Sequence, residues 1–211
     1  MSVYLPPFNF PSTLAALALT GMCAVAAGAT VTVAVTDKDG APVTDAVVYL
    51  EGATGRLPSK PATGAEISQS KRQFQPRVLV VPVGTAVAFP NMDTVRHQVY
   101  SFSPAKIFEL KLYAGVPGEP VTFDKPGTAV LGCNIHDKMS AWVHVVDSPY
   151  YAKTEANGEA KLLQVPPGNY KLMAWHPAMP ANTAPQQLAL TVAKADMDSP
   201  VKLSVGAQAL P

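Results

Sequence analysis

Cys133, His136 and Met139 stand at three-residue steps in the stretch Gly132-Cys133-Asn134-Ile135-His136-Asp137-Lys138-Met139-Ser140. A thiolate, an imidazole and a thioether in one short loop are soft donors, and sulfur beside nitrogen suits copper. Two His and one Cys in a trigonal set, with a distant Met on the axis, make the ligand pattern of a blue-copper electron-transfer centre. The loop supplies one His. The other candidate is His97, in Phe89-Pro90-Asn91-Met92-Asp93-Thr94-Val95-Arg96-His97-Gln98-Val99, at the foot of a strand-like run. The candidate ligands are therefore His97, Cys133, His136 and Met139. Each alone has an ordinary explanation: a buried Cys acts as a small hydrophobe and a Met fills a core. Their joint spacing is what points to metal. The two remaining histidines read as structural. His144 shares a strand face with Trp142 and Val146, and His176 closes a strand in Ala174-Trp175-His176-Pro177.

Such ligands must come from different strands, held firmly enough that a metal can change oxidation state without moving them. The composition suits that demand. Twenty-one prolines and 14 glycines in 211 residues, with 48% hydrophobic content, imply short segments broken by many turns. Charged residues make up 15% of the chain and the net charge is +1, which leaves no basic footprint for nucleic acid. Period-two alternation predicts strands over Thr30–Val35, Ala46–Leu50, Arg77–Val81, Thr85–Phe89, Val99–Phe102, Phe108–Leu112, Val121–Phe123, Thr128–Gly132 and Ala141–Val146. Four more follow over Glu159–Val165, Tyr170–Trp175, Leu188–Val192 and Val201–Val205. Residues 52–64 are rich in Gly, Pro, Thr and Ser and read as a linker. No long helix-period segment follows residue 29, so the expected fold is all-β with sandwich architecture.

Residues 1–29 differ from the rest. The apolar run Leu14 to Ala27 ends in Ala27-Gly28-Ala29, a small-residue cleavage pattern, and reads as a secretory signal peptide. No Lys or Arg precedes Lys38, so the usual basic start is missing. The run is shorter than the ~20 residues of a membrane span, so no membrane attachment is expected after cleavage, and the expected location is outside the cytoplasm. Cys23 leaves with the signal. Cys133 is then the sole cysteine in an oxidising compartment, where a free thiol is exposed to oxidation unless buried or bound. Metal coordination removes that hazard.

Phe74-x-Pro76, Val83-Gly84-Thr85-x-Val87, Asn91-x-Asp93, His97-x-Val99 and Gly132-Cys133-x-x-His136-x-x-Met139 together resemble the cupredoxins. The Cys-x₂-His-x₂-Met spacing is like that of amicyanin. Phe108-Glu109-Leu110, Phe123-Asp124-Lys125-Pro126-Gly127 and Leu131 to Asp137 are similar to bacterial cupredoxins known as methylamine utilization proteins. The resemblance covers residues 65–147 and implies a Greek-key β-sandwich with one type-1 copper ion, bound by His97, Cys133, His136 and Met139. It also implies single-electron exchange with redox partner proteins in the periplasm. The chain has four His, two of them already assigned, and no Gly-x-Ser-x-Gly motif, so no enzymatic activity is expected. His136 would be the electron port, and Arg96 and Lys138 flank the ligands. Two departures stand out: Gln98 replaces the usual Asn, and Asp137-Lys138 puts a charged pair in a loop that is usually apolar or contains Pro.

The outer segments resemble a carboxypeptidase-regulatory-like β-sandwich. The matching residues are Val31-x-Val33-x-Val35-x-Asp37-x-Asp39-Gly40-x-Pro42-Val43-x-Asp45-Ala46-x-Val48, then Lys153 to Gly158 and Val165-Pro166-Pro167-Gly168-Asn169-Tyr170-x-Leu172. The expected organisation is a signal over 1–29, a first part of this second small sandwich and its linker over 30–64, the copper unit over 65–147, and the second part over 148–211. The alternative to electron transfer is a copper-binding carrier or sensor, or a structural β-sandwich module.

Overall fold

A computed structural model of the chain describes residues 1–2, 28–180 and 183–203. Most of the expected signal peptide, with Cys23, lies outside the described residues. Every regular element among the described residues is a strand, as expected.

The two ends of the chain build one sandwich. β1 (Ala29–Thr36) lies between β14 (Glu159–Val165) and β17 (Met197–Lys202) in one sheet. β2 (Val47–Gly52) lies between β13 (Tyr151–Lys153) and β15 (Gly168–Trp175), with β16 (Gln186–Val192) outermost, in the other. In β1 the period-two pattern places Ala29, Val31, Val33 and Val35 inward. They meet Leu50, Leu162, Leu172, Val192, Val201 and Leu203 in a common core. Each fully buried side chain of this size contributes roughly 1.5–3 kcal/mol.

The middle of the chain builds the second sandwich. Its larger sheet runs β6 (Val78–Pro82), β12 (Ser140–Val146), β11 (Gly127–Gly132), β8 (His97–Ser103), β9 (Lys106–Tyr113). Its smaller sheet runs β10 (Val121–Phe123), β7 (Thr85–Ala88), β3 (Ala65–Glu66). The chain passes back and forth between the two sheets, and their inner faces enclose Phe74, Phe89, Phe123, Leu131, Cys133 and Met139. A two-stranded hairpin, β4 (Ser68–Ser70) with β5 (Gln73–Gln75), caps one end.

A third apolar cluster joins the sandwiches. Trp142, Val146 and Val78, on the outer face of the five-stranded sheet, pack with Val47, Tyr49, Met173 and Trp175 from β2 and β15.

Two expectations are corrected. The last strand begins at Met197, not Val201, and includes Pro200; Ser204 and Val205 lie outside the described residues. β17 pairs only with β1, so it is an edge strand, where a missing N–H is tolerated. Four short strands, β3, β4, β5 and β13, were not foreseen. At two or three residues each they carry too little alternation to register.

Candidate metal centre

The loop after β11 is built from two successive turns. The His136 amide donates to the Cys133 carbonyl at 3.3 Å, and the Met139 amide to the His136 carbonyl at 2.9 Å. Three-residue steps thus coincide with the repeat of the turns, so residues 133, 136 and 139 are treated alike while those between them face outward. Cys133 and Met139 are buried at 3% and 2% exposure, and Asn134, Ile135, Asp137 and Lys138 are exposed. The loop can start at Cys133 because Gly132 carries no side chain. A Cβ there would lie 2.6 Å from the ring of Tyr100, the residue opposite it on β8.

His97 opens β8, and its position depends on an irregularity in the sheet. His97 pairs with Tyr113 and Val99 with Leu110, so β9 spends two residues, Lys111 and Leu112, opposite Gln98 alone. Such a bulge re-aims nearby side chains. His97 is fully buried and turns its Nδ1 toward the Cys133 Sγ at 3.9 Å. Its ring lies 5.0 Å from that of His136, centroid to centroid. One ligand atom from each of His97, Cys133 and His136 falls within 4.8 Å of the other two. Asp137 is not part of this group.

This donor set fits a copper ion on its own chemistry. The His136 Nδ1 is buried and has no hydrogen-bond partner, a situation that costs about 1–3 kcal/mol if left unrelieved. A buried thiol faces it across the same small space, beside a second imidazole nitrogen. One soft cation would satisfy all three. Met139 shares the buried core with Cys133 and is tied to the His136 carbonyl by its amide.

The loop before His97 is braced by residues that the sequence reading did not assign. Asn91 Nδ2 donates to the carbonyls of Val95 and Tyr113, both at 2.9 Å, and Asn91 Oδ1 accepts the Asp93 amide at 3.0 Å. Gln69 and the Tyr113 hydroxyl both bond the Phe89 carbonyl and each other. Asp93 Oδ2 bonds the His97 Nε2 at 2.8 Å. Burial acts to raise the Asp93 pKa, but the Arg72 amide, the His97 ring and the Lys71 amide outweigh it and hold the carboxyl below its ordinary value. The Asn91-x-Asp93 and Asp93-x₃-His97 spacings were the available signals for this scaffold. Gln98 turns its amide to Glu109, donating to Oε1 at 2.5 Å.

The other histidines are held elsewhere. His144 bonds Thr128 Oγ1 through Nδ1 at 2.9 Å and stacks on Trp175. His176 bonds the Thr44 carbonyl through Nε2 and accepts the Ala178 amide on Nδ1. Both match the structural roles expected of them.

No protein-family model matches the chain, and no curated protein matches it. Solved structures do. A purple cupredoxin from Nitrosopumilus maritimus is 23% identical over 39% of this chain and 99% of its own, at a TM-score of 0.35. Amicyanin from Paracoccus versutus is 16% identical over 43% of this chain and 95% of its own, at 0.34. The copper-containing nitrite reductase from Thermus scotoductus SA-01 is 21% identical over 53% of this chain but only 28% of its own, at 0.38. Each likeness is one of fold, over part of the chain.

Proposed function

We propose that this chain is a periplasmic type-1 copper protein that passes single electrons between redox partners and turns over no substrate itself. The observation that carries the reading is the convergence of one ring nitrogen each of His97 and His136 with Cys133 Sγ within 4.8 Å, with the His136 Nδ1 buried and unpartnered. His97, Cys133 and His136 would hold the ion, and Met139 would supply the weak axial sulfur. Bound copper contributes a one-electron couple that no side chain here has alone.

The chain's own residues supply the frame. Cys133 is fixed at the end of β11 and His97 at the start of β8, two neighbouring strands of one sheet. The loop between them in space is short and closed by two turns, so the donors keep their positions whatever the charge of the ion. His136 is half-buried between exposed neighbours, which suits it to pass an electron to a docked partner. Arg96 and Lys138 are exposed beside the ligands and favour an acidic partner. The periplasmic placement rests on the apolar N-terminal run of the sequence.

The test is to purify the chain from Thr30 onward, add Cu(II), and record visible absorption and EPR, with Cys133→Ala as the control. An intense thiolate-to-copper band with narrow hyperfine splitting, lost in the variant, is expected. Ordinary square-planar spectra that the substitution leaves alone would overturn the reading. A copper site that binds tightly but exchanges electrons slowly with both an oxidant and a reductant would favour the carrier alternative.

A further inference from the structure

The hairpin β4–β5 ends far from the ligand loop in sequence, yet its tip reaches the copper site through one carboxylate. Lys71 and Arg72 both adopt left-handed backbone, with φ of 54° and 58°. This turn chemistry aims their two amides in one direction. Both meet Asp93: Lys71 N–H donates to Oδ1 at 2.7 Å and Arg72 N–H to Oδ2 at 2.9 Å. The same Oδ2 lies 2.8 Å from His97 Nε2. The Asp93 amide is itself tied to Asn91 Oδ1 at 3.0 Å. The carboxylate is thus held by two backbone amides and its residue by a third bond through the main chain, and the imidazole is the carboxylate's third partner.

An ionised carboxylate has no proton to give, so it can only accept from the ring. The proton of a neutral His97 must then sit on Nε2, which leaves the Nδ1 lone pair facing Cys133 Sγ at 3.9 Å. A metal-bound His whose other nitrogen donates to a carboxylate is fixed in tautomer and orientation and is a stronger donor.

We propose that Asp93 is the positioning residue of the copper site: held by the tip of the β4–β5 hairpin, it fixes the His97 tautomer and its negative charge favours Cu(II) over Cu(I). The proposal rests on the functional reading above, since it assigns His97 as a ligand. It makes the hairpin, and not only the ligand loop, part of what sets the redox potential. Lys71 and Arg72 contribute through their backbone amides, so changing their side chains to other residues that tolerate the left-handed turn leaves the effect intact.

Two measurements test it. In the copper-free protein at pH 8, long-range ¹H–¹⁵N correlation of the His97 ring should show the proton on Nε2 in the native chain. A native chain with the proton on Nδ1 overturns the proposal with no variant needed. In the copper-loaded protein, Asp93→Asn keeps the shape but turns an amide N–H toward either the hairpin or the ring. Cu(II) affinity should fall by about 10–100-fold, the usual effect of losing such a partner, with a smaller loss for Cu(I). Each tenfold difference between the two raises the midpoint potential by ~59 mV. Asp93→Glu, if it recovers the bond, should restore part of the shift. Unchanged tautomer and potential in Asp93→Asn, with the urea midpoint lowered, would reduce Asp93 to a structural brace and overturn the proposal. Should Cys133→Ala leave the copper spectra unaltered, it is the functional reading that fails, and the copper-free tautomer still decides the role of Asp93.

Discussion

Acid should weaken the seam between the two sandwiches, and His144 should be the cause. Its ring lies on β12, stacked on Trp175 at 4.7 Å and 18° and tilted against Tyr49 at 5.6 Å, so residues of both sandwiches enclose it. Nδ1 is engaged by Thr128 Oγ1, and the ring is 3% exposed. Burial lowers its pKa from 6.5 to about 4. The unfolded chain therefore takes up this proton near pH 6.5 and the folded chain only near 4, so between these values the unfolded state holds more protons. Stability is full above the unfolded value, falls as pH drops below 6.5, and reaches its floor below about 4. A gap of roughly 2.5 units at ~1.4 kcal/mol each amounts to about 3 kcal/mol, a large part of the ~5–15 kcal/mol that holds a typical domain folded. Urea unfolding at pH 7.5 and pH 4 would measure it, for the native chain and for His144→Phe, which keeps a stacked ring without a titrating nitrogen. The two tryptophans of the chain, Trp142 and Trp175, both lie at this seam, so their fluorescence reports on it directly. The carboxylates Glu51 and Asp147 line the same cleft, and burial lowers the His176 pKa too, against the pull of the Thr44 carbonyl and Asp45. All of these remain in both proteins and cancel in the difference. The native chain should lose about 3 kcal/mol more than the variant between the two pH values. Equal losses would refute the argument, because the buried ring would then have no differential affinity for the proton.

Gly158→Ala should destabilise the sandwich built from the chain ends. Its φ is +77° and a Cβ would lie 2.6 Å from the Val35 carbonyl oxygen and 2.9 Å from Pro42 Cβ. The left-handed backbone costs roughly 1–2 kcal/mol for Ala and the overpacking about 1–3 kcal/mol; a drop below 1 kcal/mol in urea unfolding would contradict this. Met139→Leu nearly conserves volume in the buried site and should cost less than about 1.5 kcal/mol in stability. It should raise the potential of the copper-loaded protein and alter its visible spectrum, and a spectrum and potential identical to the native would remove Met139 from the ligand set.

The parts of this molecule that were legible in the sequence are those in which one residue type at one spacing has one physical meaning. The alternation of Val31, Val33 and Val35 in β1, or of Ala160 and Leu162 in β14, reads as a strand because only a two-residue period puts those side chains on one face. The ligand loop was legible for the same reason, since its three-residue steps are the steps of its turns. What escaped were features that depend on two distant pieces of chain. Nothing near Asp93 announces that the amides of Lys71 and Arg72 will meet it, because those residues matter only through their backbone. Gln98 and the bulge opposite it were likewise invisible, since a bulge is a property of a pair of strands.

The seam between the sandwiches lies between these extremes, because its signal stands in single strands of the sequence. β2 and β12 are buried on both faces along most of their length, unlike β1, β14 and β16, which alternate. Their sequences, Val47-Val48-Tyr49-Leu50 and Ala141-Trp142-Val143-His144-Val145-Val146, show near-continuous runs where an antiparallel sheet facing water would show polar residues at every second position. A strand with no polar face in an otherwise alternating chain must be covered twice: once by its own core and once by something else. Here each such strand belongs to a different sandwich, and their second faces meet each other through Tyr49, Trp142 and Trp175. That double burial ties the middle sandwich to the sandwich formed by the chain ends. It also places His144 between Tyr49 and Trp175, where burial keeps its ring neutral.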